Sequence, residues 1–186
     1  MIRVTSDGIA VFGEGGRTNL LNSPLAATFR IANHRPLRFS AFKSDRRDGQ
    51  MTLEIYQYPY GPGANYGVLL HDPVAEETAS VDAGDATALL AALDKTGWPL
   101  TEIWITHHHH DHTDGLEEVK AKTGCTVRGP APESQPIAGL DLRHGDGDSF
   151  TFAGHPVQVL HTPGHTTDMI NFYLPSEGLV FTGDTL

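Results

Sequence analysis

A short apolar stretch, TEIWIT (residues 101–106), runs directly into THHHHDHTDG (106–115). Inside that run sits the pattern H-x-H-x-D-H, made by His107, His109, Asp111 and His112. These ligands are nitrogens and a carboxylate, with no thiolate among them. That mixture suits a divalent ion held for chemistry, because a structural zinc usually takes cysteines. The cluster constrains the fold, since an ion needs further ligands and other strand ends must supply them. On an extended segment alternate side chains point the same way. His107 and His109 can therefore face one ion, with His108 and His110 directed elsewhere. Asp111 and His112 follow where the strand is expected to give way to a turn, within reach of a second ion.

Two later segments offer partners. The strand-like HPVQVLH (155–161) ends at a Pro163-Gly164 turn, and His165 emerges just after it. LVFTGDTL (179–186) presents Asp184 at the end of another strand. A carboxylate there can bridge two ions, which in such pairs sit ~3.5–4 Å apart. Each piece alone has a plain reading: a low-complexity histidine tract, a surface histidine, a turn aspartate. Their joint occurrence at successive strand ends favours a metal site. His108, His110, His144, His155 and His161 are expected to be non-ligands, and His34 and His71 fall outside any motif.

The remaining pattern reads as α/β with substantial sheet. MTLEIYQY (51–58) and YGVLLH (66–71) form a strand pair across the turn-rich PYGPGAN, and TASVDAG (78–84) is a third strand. Asp85 caps a helix that Gly97 ends. A short helix follows over 115–123. Further strands are expected at 125–128, 148–153, 156–160, 170–174 and 179–182.

Composition closes off several classes. No stretch approaches the ~20 apolar residues of a membrane span, and the N-terminus lacks the apolar core of a secretory signal. Cys125, the single cysteine, reads as a buried small residue and fits a reducing, cytoplasmic compartment. Residues 1–50 carry eight Lys/Arg against four Asp/Glu, whereas 51–186 carry five against nineteen. The acidic part is a poor nucleic-acid binder. Residues 1–50 lack sustained period and are expected to be an irregular extension, with the domain proper over 51–186 and Met51 as its natural start. A transit peptide is the competing reading, and the stretch shows no clear amphipathic helix to support it.

T-H-x-H-x-D-H-x-x-G, H-T-P-G-H-T and F-T-G-D-T-L together resemble the metallo-β-lactamase superfamily. Within it, MTLEIYQYP, NYGVLLHD, SVDAGD and GDGDSFTFAGHPVQVLHTPGHT make residues 51–186 similar to glyoxalase II, the hydroxyacylglutathione hydrolases. The resemblance implies an αββα sandwich. It implies two divalent ions, zinc first, with iron or manganese as alternatives. His107, His109 and His165 would hold the first ion, Asp111 and His112 the second, and Asp184 would bridge. Asp82 would brace the histidine loop from behind the ligands, its plainer reading being a strand-end turn residue. The implied reaction hydrolyses the thioester of an S-(2-hydroxyacyl)glutathione, a small-molecule substrate, by attack of a metal-activated water that Asp111 orients and deprotonates. The family pattern continues past Asp184 with a further ligand histidine and a helical substrate domain. On that pattern the second half of the sandwich is expected to be incomplete, with apolar sheet surface left uncovered. Other chemistries on the same frame are a persulfide dioxygenase, a lactonase, or a fragment that binds metal without turnover.

Overall fold

Alternation along the strands decides which side chains face which layer. The computed structural model describes residues 2–5, 8–11, 42–43, 53–61, 65–131 and 136–185. Its first strands are β1 (Ile2–Thr5), β2 (Gly8–Val11), β3 (Phe42–Lys43), β4 (Glu54–Tyr60), β5 (Asn65–Asp72) and β6 (Glu77–Val81). Helix α1 (Ala86–Thr96) leads to β7 (Glu102–Trp104), and helices α2 (His110–Thr113) and α3 (Leu116–Thr123) follow. The chain continues through β8 (Thr126–Pro130), β9 (Leu142–His144), β10 (Ser149–Phe152), β11 (His155–His161), β12 (Ile170–Leu174) and β13 (Leu179–Phe181). A 3-10 turn over Gly183–Thr185 closes it.

The strands form two sheets. One is seven-stranded, in the order β3-β4-β5-β6-β7-β8-β9, and the other six-stranded, in the order β10-β11-β12-β13-β1-β2. The expected hairpin is present, with β4 and β5 antiparallel and Ile55 opposite Leu70. From β6 onward the first sheet turns parallel, because α1 and α3 carry the chain back between strands.

Leu53, Ile55, Val68, Leu70 and Trp104 face the second sheet and pack on Val157, Val159, Phe172 and Phe181. Their neighbours Tyr58, Leu69, Ile103 and Ile105 face the other way, against Leu89 and Leu93 of α1 and Val119 of α3. The central strands β4 to β7 of the seven-stranded sheet are thus buried on both faces. In β11 the period is cleaner: Val157 and Val159 are buried, while Pro156, Gln158 and Leu160 are exposed. Trp104 is fully buried between the sheets. Its ring meets Phe150 and Phe152 edge-on, with centroids 5.3 and 5.2 Å away, and Phe172 at 5.4 Å. Its Nε1 donates to Glu102 Oε2 at 2.7 Å.

Helix α1 begins and ends as its sequence expects. Asp85 accepts from the backbone N of Ala88, and Gly97 stops the helix in the left-handed region at φ 72°. Three local expectations need correction. Where residues 1–50 are described they are not irregular, because β1 pairs in parallel with β13 and β3 pairs with β4. Such short strands are held by neighbours' backbone bonds, which a periodicity search over two to four residues cannot detect. Met51 and most of the proposed extension lie outside the described residues. Asp111 and His112 lie on the short helix α2, not on an open turn. The expected uncovered apolar face is also not found among the described residues. There, the large exposed apolar side chains are Val74 in the turn after β5, Leu142 on β9 and Leu160 on β11. No helix among the described residues is long and apolar enough to cross a membrane.

Candidate metal centre

The segment after β7 bends at His108, is extended at His109 (φ −62°, ψ 147°) and then winds into α2. This puts His107, His109 and His112 at one end of the seven-stranded sheet. His165, from the loop between β11 and β12, and Asp184, after β13, come from the six-stranded sheet. The two sheets are tied at this end by a backbone bond from Ile170 N to Thr106 O, 3.0 Å.

Ligand atoms of His107, His109 and His165 lie within 4.8 Å of one another, and so do those of His107, His112 and Asp184. His165 Nε2 is 2.9 Å from His109 Nδ1. Asp184 turns one oxygen to each side: Oδ1 is 3.3 Å from His112 Nε2, and Oδ2 is 3.4 Å from His165 Nε2. Two ligands each ~2.0–2.1 Å from a tetrahedral ion stand roughly 3.3 Å apart, so these spacings fit a divalent metal. Asp111 belongs to neither close group. Its carboxylate is half exposed, with Oδ2 3.8 Å from His112 Nε2.

Hydrogen bonds fix the imidazoles for ligation. Asp82 Oδ1 accepts from Thr106 N at 2.8 Å, and its carboxylate takes the Thr106 hydroxyl at 3.0 and 3.1 Å. A hydroxyl has a single hydrogen, and a carboxylate only accepts. Thr106 Oγ1 must therefore accept from His107 Nδ1, 3.0 Å away. The Nε2 of His107 is left as a bare lone pair, buried and without a hydrogen-bond partner. A nitrogen in that state is costly unless a cation occupies the space before it. Asp82 Oδ2 also lies 2.8 Å from His112 Nδ1, which turns the Nε2 of that ring toward Asp184. Asp82 is buried and sits at φ 60°. Thr106 was not singled out in the sequence, where a strand-end threonine carries no signal of its own.

The backbone around the cluster is equally tight. A Cβ on Gly84 would collide with the carbonyl oxygen of Asp111 and with the Tyr60 ring. Tyr60 OH donates to that same carbonyl at 2.8 Å. Gly84→Ala is therefore expected to push α2 away from the cluster and weaken metal retention by at least ~10-fold, the low end for displaced ligand support. Metal content after dialysis, compared with the parent protein, checks this.

Burial lowers His107 from the ordinary 6.5 to about 4, although the nearby Asp82 and Asp184 charges oppose it. His109 is lowered too, by burial and by the adjacent His165. Burial also acts against the charged form of His112, but Asp82 and Asp184 outweigh it and raise the ring to about 10. The signs give opposite windows for the metal-free protein. The neutral His107 contributes stability present above 6.5 and lost as pH falls toward 4. The charged His112 contributes stability present below 6.5 and lost as pH rises through about 10. The melting temperature of chelator-treated protein should therefore peak near pH 6.5. Metal uptake at pH 7 should release a proton from His112, which an indicator dye would record.

The other histidines are placed as follows. His110 pairs with Asp114, and His155 lies between Asp72 and Glu177. His161 bonds the carbonyl of Thr167, and His71 stacks on Trp98. His144 is near Asp148, and His34 lies outside the described residues. His108 contacts Asp168, a partner that no motif marks.

The family model described as "Metallo-beta-lactamase superfamily" matches residues 61–186. The chain belongs to the metallo-beta-lactamase superfamily. That membership brings divalent-metal binding, and the groups around His107 could hold the metal. The superfamily fold is matched by the crystal structure of BLEG-1 B3 metallo-beta-lactamase, with TM-score 0.62, 26% identity, and 71% of this chain and 72% of that one covered. It is also matched by the structure of ETHE1 from Myxococcus xanthus, with TM-score 0.61, 27% identity, and coverage of 71% and 57%. In sequence the chain is 52% identical over 134 residues to the hydroxyacylglutathione hydrolase of Brucella anthropi, covering 72% of this chain and 51% of that protein. The hydroxyacylglutathione hydrolase of Brucella ovis is 51% identical over 137 residues, with coverage of 74% and 53%. The chain spans about half the length of these curated relatives.

Proposed function

We propose that this superfamily member is a metal-dependent hydrolase of the glyoxalase II type, cleaving the thioester of an S-(2-hydroxyacyl)glutathione. The observation that carries the reading is the pair of ligand groups meeting at His107, each within 4.8 Å. The substrate class rests on the 52% identity to a hydroxyacylglutathione hydrolase, twice that to the solved structures of other name. One ring nitrogen serves one ion, so the shared His107 goes to a single site. His107, His109 and His165 would hold the first ion, and Asp111 and His112 the second, with Asp184 a ligand shared by both. Nitrogen and carboxylate ligands without thiolate accept zinc, the leading candidate, and also iron or manganese.

When bound, the ions supply Lewis acidity, lowering the pKa of a water from 15.7 to ~7 and polarising a carbonyl. The chain's residues do the rest. Asp82 and Thr106 hold the His107 and His112 rings in the ligating orientation. Asp111, half exposed beside His112, orients the attacking water and takes its proton. Water oxygen bonds to the thioester carbon, the carbon–sulfur bond breaks, and the proton leaves with the thiolate. The products are a 2-hydroxy acid and glutathione. We place the protein in the cytoplasm, with a small-molecule substrate and no nucleic-acid partner, on its acidic charge and lone cysteine.

The test is turnover of S-lactoylglutathione by the zinc-loaded chain, followed by loss of thioester absorbance. Hydrolysis abolished by a chelator and restored by Zn²⁺ supports the reading. Oxygen consumption with glutathione persulfide in place of thioester cleavage would overturn it in favour of a dioxygenase. Metal binding without any turnover would leave a metal-binding fragment.

A further inference from the structure

Asp168 follows His165 by three residues, in the loop before β12. Its side chain is 1% exposed, and His108 Nδ1 donates to its Oδ1 at 2.8 Å. Its Oδ2 is buried with no hydrogen-bond partner. A carboxylate withdrawn from water is unfavourable unless it is paired, and a single imidazole donor compensates it only in part. Neither Asp168 nor His108 belongs to a ligand group. Nothing in the hydrolytic reading uses this pair.

Its place in the fold supplies the use. His108 stands between His107 and His109, on the segment leaving the seven-stranded sheet. Asp168 stands on the loop that carries His165, part of the six-stranded sheet. Bonds inside that loop, from Thr162 N to Met169 O at 2.9 Å and from Gly164 N to Thr166 O at 3.1 Å, shape it without attaching it to the opposite sheet. The Asp168–His108 bond and the Ile170 N to Thr106 O bond reach across. Just beyond the Asp168–His108 crossing on both segments, the nitrogens of His109 and His165 come to 2.9 Å.

We infer that the Asp168–His108 hydrogen bond is a positioning clamp for the ion held by His107, His109 and His165. It fixes the His165 loop against the His107–His109 segment and so sets the affinity of that ion. The inference rests on the metal-centre reading, and both residues act through the ligands and not on substrate.

Cobalt titration of the metal-stripped full chain against a competing chelator tests it, with melting temperatures of the metal-free variants alongside. Asp168→Ala and His108→Ala should each weaken the first Co²⁺ by ~10–100-fold. The double variant should lose no more than either single one, because both remove the same bond. Asp168→Asn keeps an acceptor for His108 Nδ1 and should recover most of the affinity and the parent's Co²⁺ absorption spectrum. Unchanged affinity and spectrum in both alanine variants would overturn the clamp. Strictly additive losses, or an asparagine variant no better than alanine, would also overturn it. His107→Ala separates the two readings. If it too keeps the parent's Co²⁺ affinity, the metal centre itself is wrong. If it loses cobalt while Asp168→Ala does not, only the clamp fails.

Discussion

His107→Ala is expected to lose bound metal almost completely. His107 is common to both close ligand groups, and its Nε2 is the buried nitrogen left without a partner. Changing an outer-shell partner typically costs ~10–100-fold in metal affinity, so deleting a ligand itself should exceed ~100-fold. The proposed thioester hydrolysis should fall with it. Metal analysis after dialysis checks the first expectation. Metal content equal to the parent's would count against the ligand assignment as a whole. The melting temperatures of the metal-free variant and the metal-free parent separate loss of the ligand from loss of the buried ring and its bond to Thr106.

Trp104→Ala should produce the largest loss of stability. The indole is fully buried between the sheets and packed against Phe150, Phe152, Phe172 and Phe181. Removing a buried aromatic of this size costs about 3–5 kcal/mol in transfer and cavity terms. For a chain of this length that is roughly 6–20 °C in melting temperature. Glu102 would lose its Trp104 donor but keep the two bonds from Arg128, at 2.9 Å each, so the loss is one of packing. A melting temperature within about 2 °C of the parent's, at most ~1 kcal/mol, would mean that the sheets are held elsewhere.

Much of this arrangement was legible in the chain. The H-x-H spacing pointed His107 and His109 at one ion, and their ligand atoms do lie within 4.8 Å of each other, although the backbone bends at His108 between them. The ends of β11 and β13 delivered His165 and Asp184 as their turn residues implied. These signals are local, since a strand period and a turn together fix where a side chain emerges. What was hidden depends on contacts between distant segments. Asp168 lies sixty residues from His108, and neither sequence neighbourhood marks the pair. Thr106 matters because one hydroxyl hydrogen is committed to Asp82, a fact that exists only once the two strand ends are adjacent. The helix α2 is four residues long, too short for a 3.6-residue period to register. Strand β9, with exposed Leu142 and Arg143, lacks the alternation that would announce it and is held by its parallel pairing to β8.

The ligands' spread along the chain also sets an order of events. His107 and His109 are available as soon as one segment is extended, but His165 and Asp184 arrive from the other sheet. Contacts so distant in sequence carry the loop-closure cost that slows folding. The native coordination sphere can therefore form only late, after both sheets have assembled and met. A metal ion added during refolding should be captured with native spectral features in the slowest phase. Its uptake would serve as a clock for the docking of the two sheets.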